Sequence, residues 1–153
     1  WDDTLKLIDF LKENCRELIF IKGNHDNFLA TIANQKGINV VDELQIDDIL
    51  LLHGDKLKEI NKTVKKIIIG HEHPAISLKD KSKMEKFKCF LKGKYKRKEL
   101  IVMPSFNPLS YGSDIFSENK FSPYLDNISK FEVFVVGDKE VFAFGKVKNI
   151  KQD

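Results

Sequence analysis

The chain has 153 residues, of which 42% are hydrophobic and 32% are charged, and its formal net charge is +3. This balance is typical of one ordinary globular domain and excludes an intrinsically disordered chain. No apolar run approaches the roughly 18 residues that span a bilayer, and the acidic start is unlike a signal peptide. We therefore expect a cytoplasmic protein that has no membrane partner. The charge is too small to require a nucleic-acid partner.

Three compositional details bear on the origin of the chain. It begins at Trp1 rather than at Met, so we expect a piece of a longer translation product. Heavy use of Lys, with only Arg16 and Arg97 as arginines, suits an AT-rich genome. Cys15 and Cys89 lack the spacing of metal ligands, so we expect two buried free thiols rather than a disulfide.

Helices and short apolar runs alternate in the first half of the chain. Asp2 or Asp3 can cap a helix that runs to about Cys15. A second helix is predicted at 27–35, and Gly37 supplies its left-handed cap. Continuous apolar runs predict buried strands at 18–21, 49–52 and 67–69, short strands at 38–41 and 44–46, and a helix or turn at 57–64.

The second half shows the loose alternation of antiparallel strands. One hairpin is predicted between 87–91 and 100–102, with the basic stretch 92–98 as its turn. A second hairpin pairs 131–136 with 141–147. Its core is predicted to include Phe131, Phe134, Phe142 and Phe144. These elements predict one α/β domain whose C-terminal part is largely antiparallel.

All four histidines of the chain follow predicted buried strands. The three segments are Gly23-Asn24-His25-Asp26, His53-Gly54-Asp55 and Gly70-His71-Glu72-His73. Ligands of open α/β sheets bind just beyond the carboxyl ends of the strands, so we expect the imidazoles to meet at one rim. A single histidine is usually structural, but four at three equivalent positions are poorly explained in that way.

The segment Gly70-His71-Glu72-His73 carries the most information about chemistry. Two histidines separated by one residue in an extended loop can each address one of two adjacent metal ions. Gly70 and Gly23 are expected to let the backbone turn sharply off their strands. Imidazole binds Mn, Fe, Ni and Zn, and a carboxamide oxygen suits the harder of these ions. The pattern therefore predicts a site for divalent metal.

These three segments resemble the motifs of the calcineurin-like metallophosphoesterase superfamily. That family has, in order, Asp-x-His, Gly-Asp, Gly-Asn-His-(Asp/Glu), a single His and Gly-His-x-His, and the last three occur here in that order. Residues 103–109 are similar to the segment that follows Gly-His-x-His in the archaeal and bacterial ICC-like branch, which is related to the DNA-ligase-associated phosphoesterases. The resemblance covers most of residues 18–110. It implies a sandwich of two mixed β-sheets flanked by helices, here without the N-terminal β-α-β segment.

The resemblance also implies the ligands of two divalent metal ions. Asn24, His53 and His71 would bind one ion, and His73 would bind the other. Manganese is the metal we expect first, with iron, nickel and zinc as alternatives that the same ligands fit.

The same resemblance implies how the reaction proceeds. A hydroxide that bridges the two metal ions would attack the phosphorus. His25 would protonate the leaving oxygen, and Asp26 would hold the His25 ring. Asn107 would lie at the substrate-binding mouth of the site, unless it is only a turn residue.

The chain departs from the family pattern at its start. Asp-x-His and the first Gly-Asp, with the carboxylate that bridges the metals, are absent. Asp55 comes too late in the order to replace that carboxylate, and we interpret it as a helix cap or turn residue. We expect the missing motifs upstream of Trp1, and we expect these 153 residues alone to be inactive. If no such segment exists, a non-catalytic metal-binding scaffold becomes the leading alternative.

The expected function is metal-dependent phosphoester hydrolysis, with a phosphodiester such as nucleic acid favoured over a phosphomonoester or nucleotide. That preference depends on the family branch and on the basic stretch 92–98, where an interleaved Tyr95 could help contact a nucleic-acid backbone. The alternative interpretation of 92–98 is a solvated hairpin turn. The uniform surface lysines indicate no oligomeric state.

Overall fold

The computed structural model describes residues 2–80, 83–117 and 121–150, and within these ranges the architecture is mixed α/β, as expected. Helix α1 spans Asp2–Asn14 and helix α2 spans Leu29–Lys36, and neither is long and apolar enough to cross a membrane. A short 3-10 helix covers Val147–Asn149. The strands are β1 Ile19–Ile21, β2 Asn39–Val41, β3 Glu43–Ile46, β4 Ile49–Leu52, β5 Lys66–Ile69, β6 Pro74–Asp80, β7 Lys83–Tyr95, β8 Lys98–Val102, β9 Ser113–Asp114, β10 Glu132–Val136 and β11 Val141–Lys146.

The N-terminal helices and the parallel pair of β1 and β2 share a small hydrophobic cluster. Its buried members are Ile8, Ala33 and Ile38. Lys36, at the end of α2, binds the carboxylate of Asp9 on α1 at 2.6 Å. Both helices lie close to their predicted positions, and α2 ends at Gly37 in the left-handed conformation, with φ of 63°. The prediction of a glycine cap is therefore confirmed.

Two predictions for the first half need correction. Strand β1 is half-buried rather than buried, because among the described strands it pairs only with β2 and lies outside the large sheet. Both cysteines are free, as expected, but only Cys89 is buried, whereas Cys15 lies exposed just after α1. Segment 57–64, predicted as a helix or a turn, contains a turn at 62–63 and no helix.

The large sheet positions the strand-end loops. Its strands run in the order β11-β10-β7-β8-β5-β4-β3, and β4, β5 and β8 are parallel to one another. The last residues of these strands, Leu52, Ile69 and Val102, lie in register. The carboxyl ends of β4 and β5 therefore open onto the same edge of the sheet, where His53 and His71 follow within two residues.

Strand β7 extends beyond the large sheet and joins it to a second strand group. Residues 83–88 of β7 pair with β6, which in turn pairs with β9, whereas residues 89–95 pair with β8 and β10. The residue pattern predicts no element at β6, although Ala75 and Ile76 are fully buried. The alternation of apolar and polar residues in β6 is hard to detect in the sequence. Apart from Ala75, Ile76 and the initial proline, the only apolar side chain of this strand is Leu78.

The C-terminal hairpin of β10 and β11 forms where the sequence predicted it, but its core is smaller. Phe131, just before β10, is 4% exposed, and Phe134 is half-buried. Phe142 and Phe144 are 46% and 41% exposed. The prediction that they belong to the core is wrong, because β11 is an edge strand whose described residues are all exposed.

Candidate functional site

Three polar side chains meet beyond the ends of β1, β4 and β5. The Nε2 atom of His53 lies 2.8 Å from Oδ1 of Asn24 and 3.0 Å from Nδ1 of His71. The two imidazole rings are edge-to-face, with centroids 4.8 Å apart and planes inclined by 70°. We call Asn24, His53 and His71 the donor triad. His53 is its centre, since its ring nitrogen touches both partners.

The local backbone explains how the triad is held. The Gly23 N–H donates to Oδ2 of Asp26 at 2.8 Å, which closes the loop that presents Asn24. A Cβ atom on Gly23 would lie 2.9 Å from that oxygen and 3.1 Å from Cε1 of His53. Glycine is therefore needed at position 23 so that the loop can approach the imidazole. The backbone N–H of His71 donates to the carbonyl oxygen of His53 at 2.8 Å, which ties the other two loops together.

The chain turns at His71 and Glu72, directly after Gly70, but this turn does not use the conformational freedom of glycine. Gly70 does not adopt a left-handed conformation, and a Cβ atom there would meet nothing within 4 Å. The left-handed residue of this motif is His73, with φ of 49°. Its carbonyl oxygen accepts the Ser113 N–H at 2.9 Å, and a Cβ on Gly112 would lie 2.3 Å from the same oxygen. The turn is thus fixed by the segment before β9 and not by glycine flexibility at the strand end.

The other predicted site residues lie around the triad without joining it. His25 is exposed and His73 is half-buried, and within the described residues neither side chain makes a hydrogen bond. The prediction that Asp26 holds the His25 ring is not what the structure shows, because the hydrogen bond of its carboxylate goes to Gly23. Asn107 lines neither cleft at the triad. Its Oδ1 atom instead accepts the Leu109 N–H at 2.9 Å in a turn, which is the alternative left open for it.

Two open clefts meet at the donor triad, and its three residues line both. The first cleft has a volume of about 540 Å³, and its charged lining consists of Lys22, Asp42, Asp55, Lys56 and Lys58. The second has a volume of about 590 Å³, and it is lined by His25, His73, Ser110, Ser113 and Phe121 among others. A group bound at the triad can therefore carry one substituent into each cleft.

Burial favours the neutral form of two imidazoles of the site, His53 and His73. The pKa of His53 lies below its usual value, first because of burial and next because of the neighbouring His71. The carboxylates of Asp55 and Asp26 act in the opposite direction without cancelling this shift. The pKa of His73 is lowered by burial, then by His71 and Lys88. Neutral imidazole is the form that binds metal ions, so both side chains are suited to that role at neutral pH.

The structure adds Glu72 and Ser122 to the residues of the site. Glu72, which is 3% exposed, accepts the backbone N–H groups of Phe121 and Ser122 through Oε2, each at 2.9 Å. The hydroxyl of Ser122 donates to the carbonyl oxygen of Gly54 at 2.7 Å. This brace joins both histidine loops of the large sheet to the segment after residue 120. A glutamate between two histidines is visible in the sequence, but its partners lie 49 and 50 residues away.

Substitution of Glu72 tests the brace. Glu72→Ala leaves two N–H groups without their acceptor, so we expect a loss of about 2–3 kcal/mol in the free energy of unfolding. Glu72→Gln keeps a carbonyl acceptor of the same length and should cost less than about 1 kcal/mol. Urea unfolding followed by circular dichroism measures both. Equal stability of the alanine variant and the parent would show that the brace contributes nothing.

The donor set of the triad fits a metal ion better than it fits a hydrogen-bond network. All three meeting atoms carry lone pairs, and one ring proton can point at only one of the two close contacts of His53. Two ligand atoms at right angles around an ion, each about 2.1 Å from it, are about 3.0 Å apart. The triad spacings of 2.8 and 3.0 Å are close to that value. Among the described residues, however, no three His, Cys, Asp or Glu side chains form a metal-binding group, so Asn24 is essential to this fit.

The turn of the basic stretch 92–98 lies at the opposite end of the sheet from this site, and Lys92, which is nearer the site, pairs with Glu99 at 3.5 Å. Lys92–Tyr95 belong to β7, and the turn of the hairpin is only Lys96 and Arg97. Glu99, next to that turn, pairs with Lys66 at the amino end of β5. His71 follows five residues later, which is about 16 Å along a strand. The alternative interpretation of this stretch is therefore confirmed in part, since Lys96 and Arg97 form an exposed hairpin turn while the other residues belong to its two strands.

Comparison with known proteins leaves the site to be interpreted from its own residues. No protein-family model matches the chain, and no curated protein matches it. The resemblance to metallophosphoesterases therefore depends on three short motifs. The contacts among Asn24, His53 and His71 add a second argument, which depends on the geometry of the site.

Proposed function

We propose that this protein hydrolyses phosphoesters with the help of divalent metal, and that its fold is a metallophosphoesterase-type sandwich lacking the N-terminal β-α-β segment. The observation that carries the proposal is the meeting of Asn24, His53 and His71 within 2.8–3.0 Å, between two open clefts. The parallel strands β4 and β5 support it further, because their carboxyl ends present two of these residues on one edge. Ligand sites of α/β sheets occupy such edges.

The donor triad would hold the first metal ion, which would polarise a phosphoryl oxygen and lower the pKa of a bound water. His73 would contribute to a second ion on the side of the second cleft. Among the described residues no carboxylate joins these ligands, so the second ion needs donors in addition to His73. This is the structural counterpart of the missing Asp-x-His and Gly-Asp motifs. Manganese remains the ion we expect first, since it accepts both imidazole and amide oxygen.

The side chains around the triad would have different roles in the reaction. His25 lines the second cleft, is exposed and makes no hydrogen bond within the described residues, so its ring is free to donate a proton to a leaving oxygen. Asp26 fixes the loop through Gly23 and so places Asn24 and His25 relative to His53. Glu72 fixes the loop that carries His71 and His73. Each of these roles concerns positioning or proton transfer.

The two clefts favour a phosphodiester over a monoester. A phosphorus at the triad has space on both sides, and a diester has a substituent for each side, whereas a monoester would leave one cleft empty. The basic stretch 92–98 no longer supports this preference, because its turn lies at the opposite end of the sheet and Lys92 pairs with Glu99. A nucleic-acid substrate is therefore proposed from the clefts and the motif resemblance alone.

The proposal is tested by the hydrolysis of bis-p-nitrophenyl phosphate and p-nitrophenyl phosphate with Mn²⁺ and with a chelator. The protein should be assayed both as these 153 residues and as the complete translation product of its gene. We expect the complete product to hydrolyse the diester faster than the monoester, only when metal is present, and the 153 residues to be inactive. Faster hydrolysis of the monoester would contradict the preference for a diester. The absence of metal-dependent hydrolysis by both forms of the protein would contradict the proposal that it is an enzyme.

One observation favours a second candidate function. Because no carboxylate joins the donor triad among the described residues, the site could bind a metal without catalysing hydrolysis. A non-catalytic metal-binding scaffold would bind Mn²⁺ in both forms of the protein and hydrolyse neither ester. The same assay, combined with a metal-binding measurement, separates the two functions.

A further inference from the structure

We infer that Phe121 forms an aromatic subsite beside the donor triad, which stacks on the base of a nucleotide-type phosphoester. This inference rests on the proposed function, because it assumes that the phosphate of the ligand binds at the triad. The inferred substrate is a phosphoester whose purine or pyrimidine base lies on the side of the second cleft.

The position of Phe121 is the first argument. The residue is 65% exposed and lines the second cleft together with His25 and His73. Because the residue is exposed and borders the cleft, its aromatic ring is available to a ligand that binds at the triad. The neighbouring lining residues Ser110 and Ser113 are small, which leaves the face of the cleft open to a planar group.

The second argument is the rigid attachment of this residue. The Phe121 N–H donates to Oε2 of the buried Glu72 at 2.9 Å, and the Ser122 N–H donates to the same atom at 2.9 Å. Ser122 is also held through its hydroxyl to Gly54, at 2.7 Å. The backbone of Phe121 is thus fixed to the loops of His53 and His71, so the point from which its side chain projects is defined relative to the triad.

The chemistry of aromatic stacking indicates the class of ligand. A base stacked on an aromatic side chain contributes about 1–3 kcal/mol by alanine substitution, which corresponds to an affinity gain of about 5-fold or more. This contribution tolerates different bases, because each has an aromatic face. We expect the lower end of this range, because a base stacked on a single exposed ring in an open cleft stays partly solvated.

The experiment compares adenosine 5′-monophosphate, ribose 5-phosphate and inorganic phosphate as ligands in the presence of Mn²⁺. Calorimetric titration gives the affinities, and ³¹P spectra confirm that the ligands stay intact. We expect adenosine 5′-monophosphate to bind about 5- to 10-fold more tightly than ribose 5-phosphate. Phe121→Leu should remove this difference by weakening only the nucleotide, and Phe121→Trp should keep or increase it.

Phe106→Ala is the matched control, because Phe106 is 91% exposed and lines neither cleft. It should change neither affinity. Equal binding of nucleotide and sugar phosphate by the parent protein would overturn the inference. So would equal weakening of both ligands by Phe121→Leu, since that would show a structural role, and so would binding of none of the three ligands. A base preference without any ester hydrolysis would leave the subsite standing and remove only the proposed function.

Discussion

Replacing His53 by alanine is expected to weaken Mn²⁺ binding by more than about 100-fold, since even residues that only orient metal ligands change affinity by about 10- to 100-fold. His53 is the centre of the donor triad, and its Nε2 atom touches both Asn24 and His71. Without this ring the two remaining donors have no common partner. Isothermal titration of the metal-free protein with Mn²⁺ measures the change, and mass spectrometry of the purified protein measures the retained metal.

The matched control for this experiment is Phe28→Ala. Phe28 is 67% exposed, lies in the same N-terminal region as Asn24 and lines neither cleft. It should leave the affinity for Mn²⁺ unchanged. His71→Ala should also lower bound metal, because His71 supplies another corner of the triad. If His53→Ala and His71→Ala both bind Mn²⁺ like the parent protein, the triad is not a metal site.

Replacing His25 by alanine should lower turnover by about 10²- to 10⁴-fold while metal content stays near normal. The structure supports this separation, because His25 lies in the second cleft and makes no contact with the donor triad through a hydrogen bond within the described residues. Its exposure also means that the substitution should leave the free energy of unfolding nearly unchanged. Turnover of the complete translation product and its bound metal are measured on the same preparation.

The choice of leaving group sharpens this test. A general acid matters more when the leaving oxygen is strongly basic, so His25→Ala should lose more activity on an alkyl ester than on a p-nitrophenyl ester. Equal losses on both esters would indicate that His25 binds substrate rather than transferring a proton. If the substitution instead empties the metal site, the division of roles between His25 and the triad is wrong.

The elements that depend on local pattern could be predicted from the sequence. Strands β4 and β5 are continuous apolar runs, and helix α2 ends at a glycine, so their positions follow from residue types alone. That His53 and His71 lie together follows from two further facts, parallel pairing and the rule that parallel strands present their carboxyl ends on one edge. The sequence supports the first of these only through the spacing of the runs.

The features that could not be predicted from the sequence depend on contacts between residues that are far apart in the chain. Whether Phe142 and Phe144 are buried depends on whether another layer covers β11, and period-two alternation is the same in either case. The bond of Glu72 with residues 121 and 122 crosses about a third of the chain, and no local signal marks it. The position of the basic hairpin relative to the site is likewise fixed only by the register of β8 against β5.

The central claim is that Asn24, His53 and His71 bind a divalent metal ion between the two clefts. Crystals of the protein soaked in Mn²⁺, measured for anomalous scattering, test it most directly. We predict an anomalous peak bonded to the Asn24 carboxamide oxygen and to a ring nitrogen of each histidine, at about 2.1 Å from the nitrogens. Crystals that bind Mn²⁺ only elsewhere, or not at all, would contradict the claim.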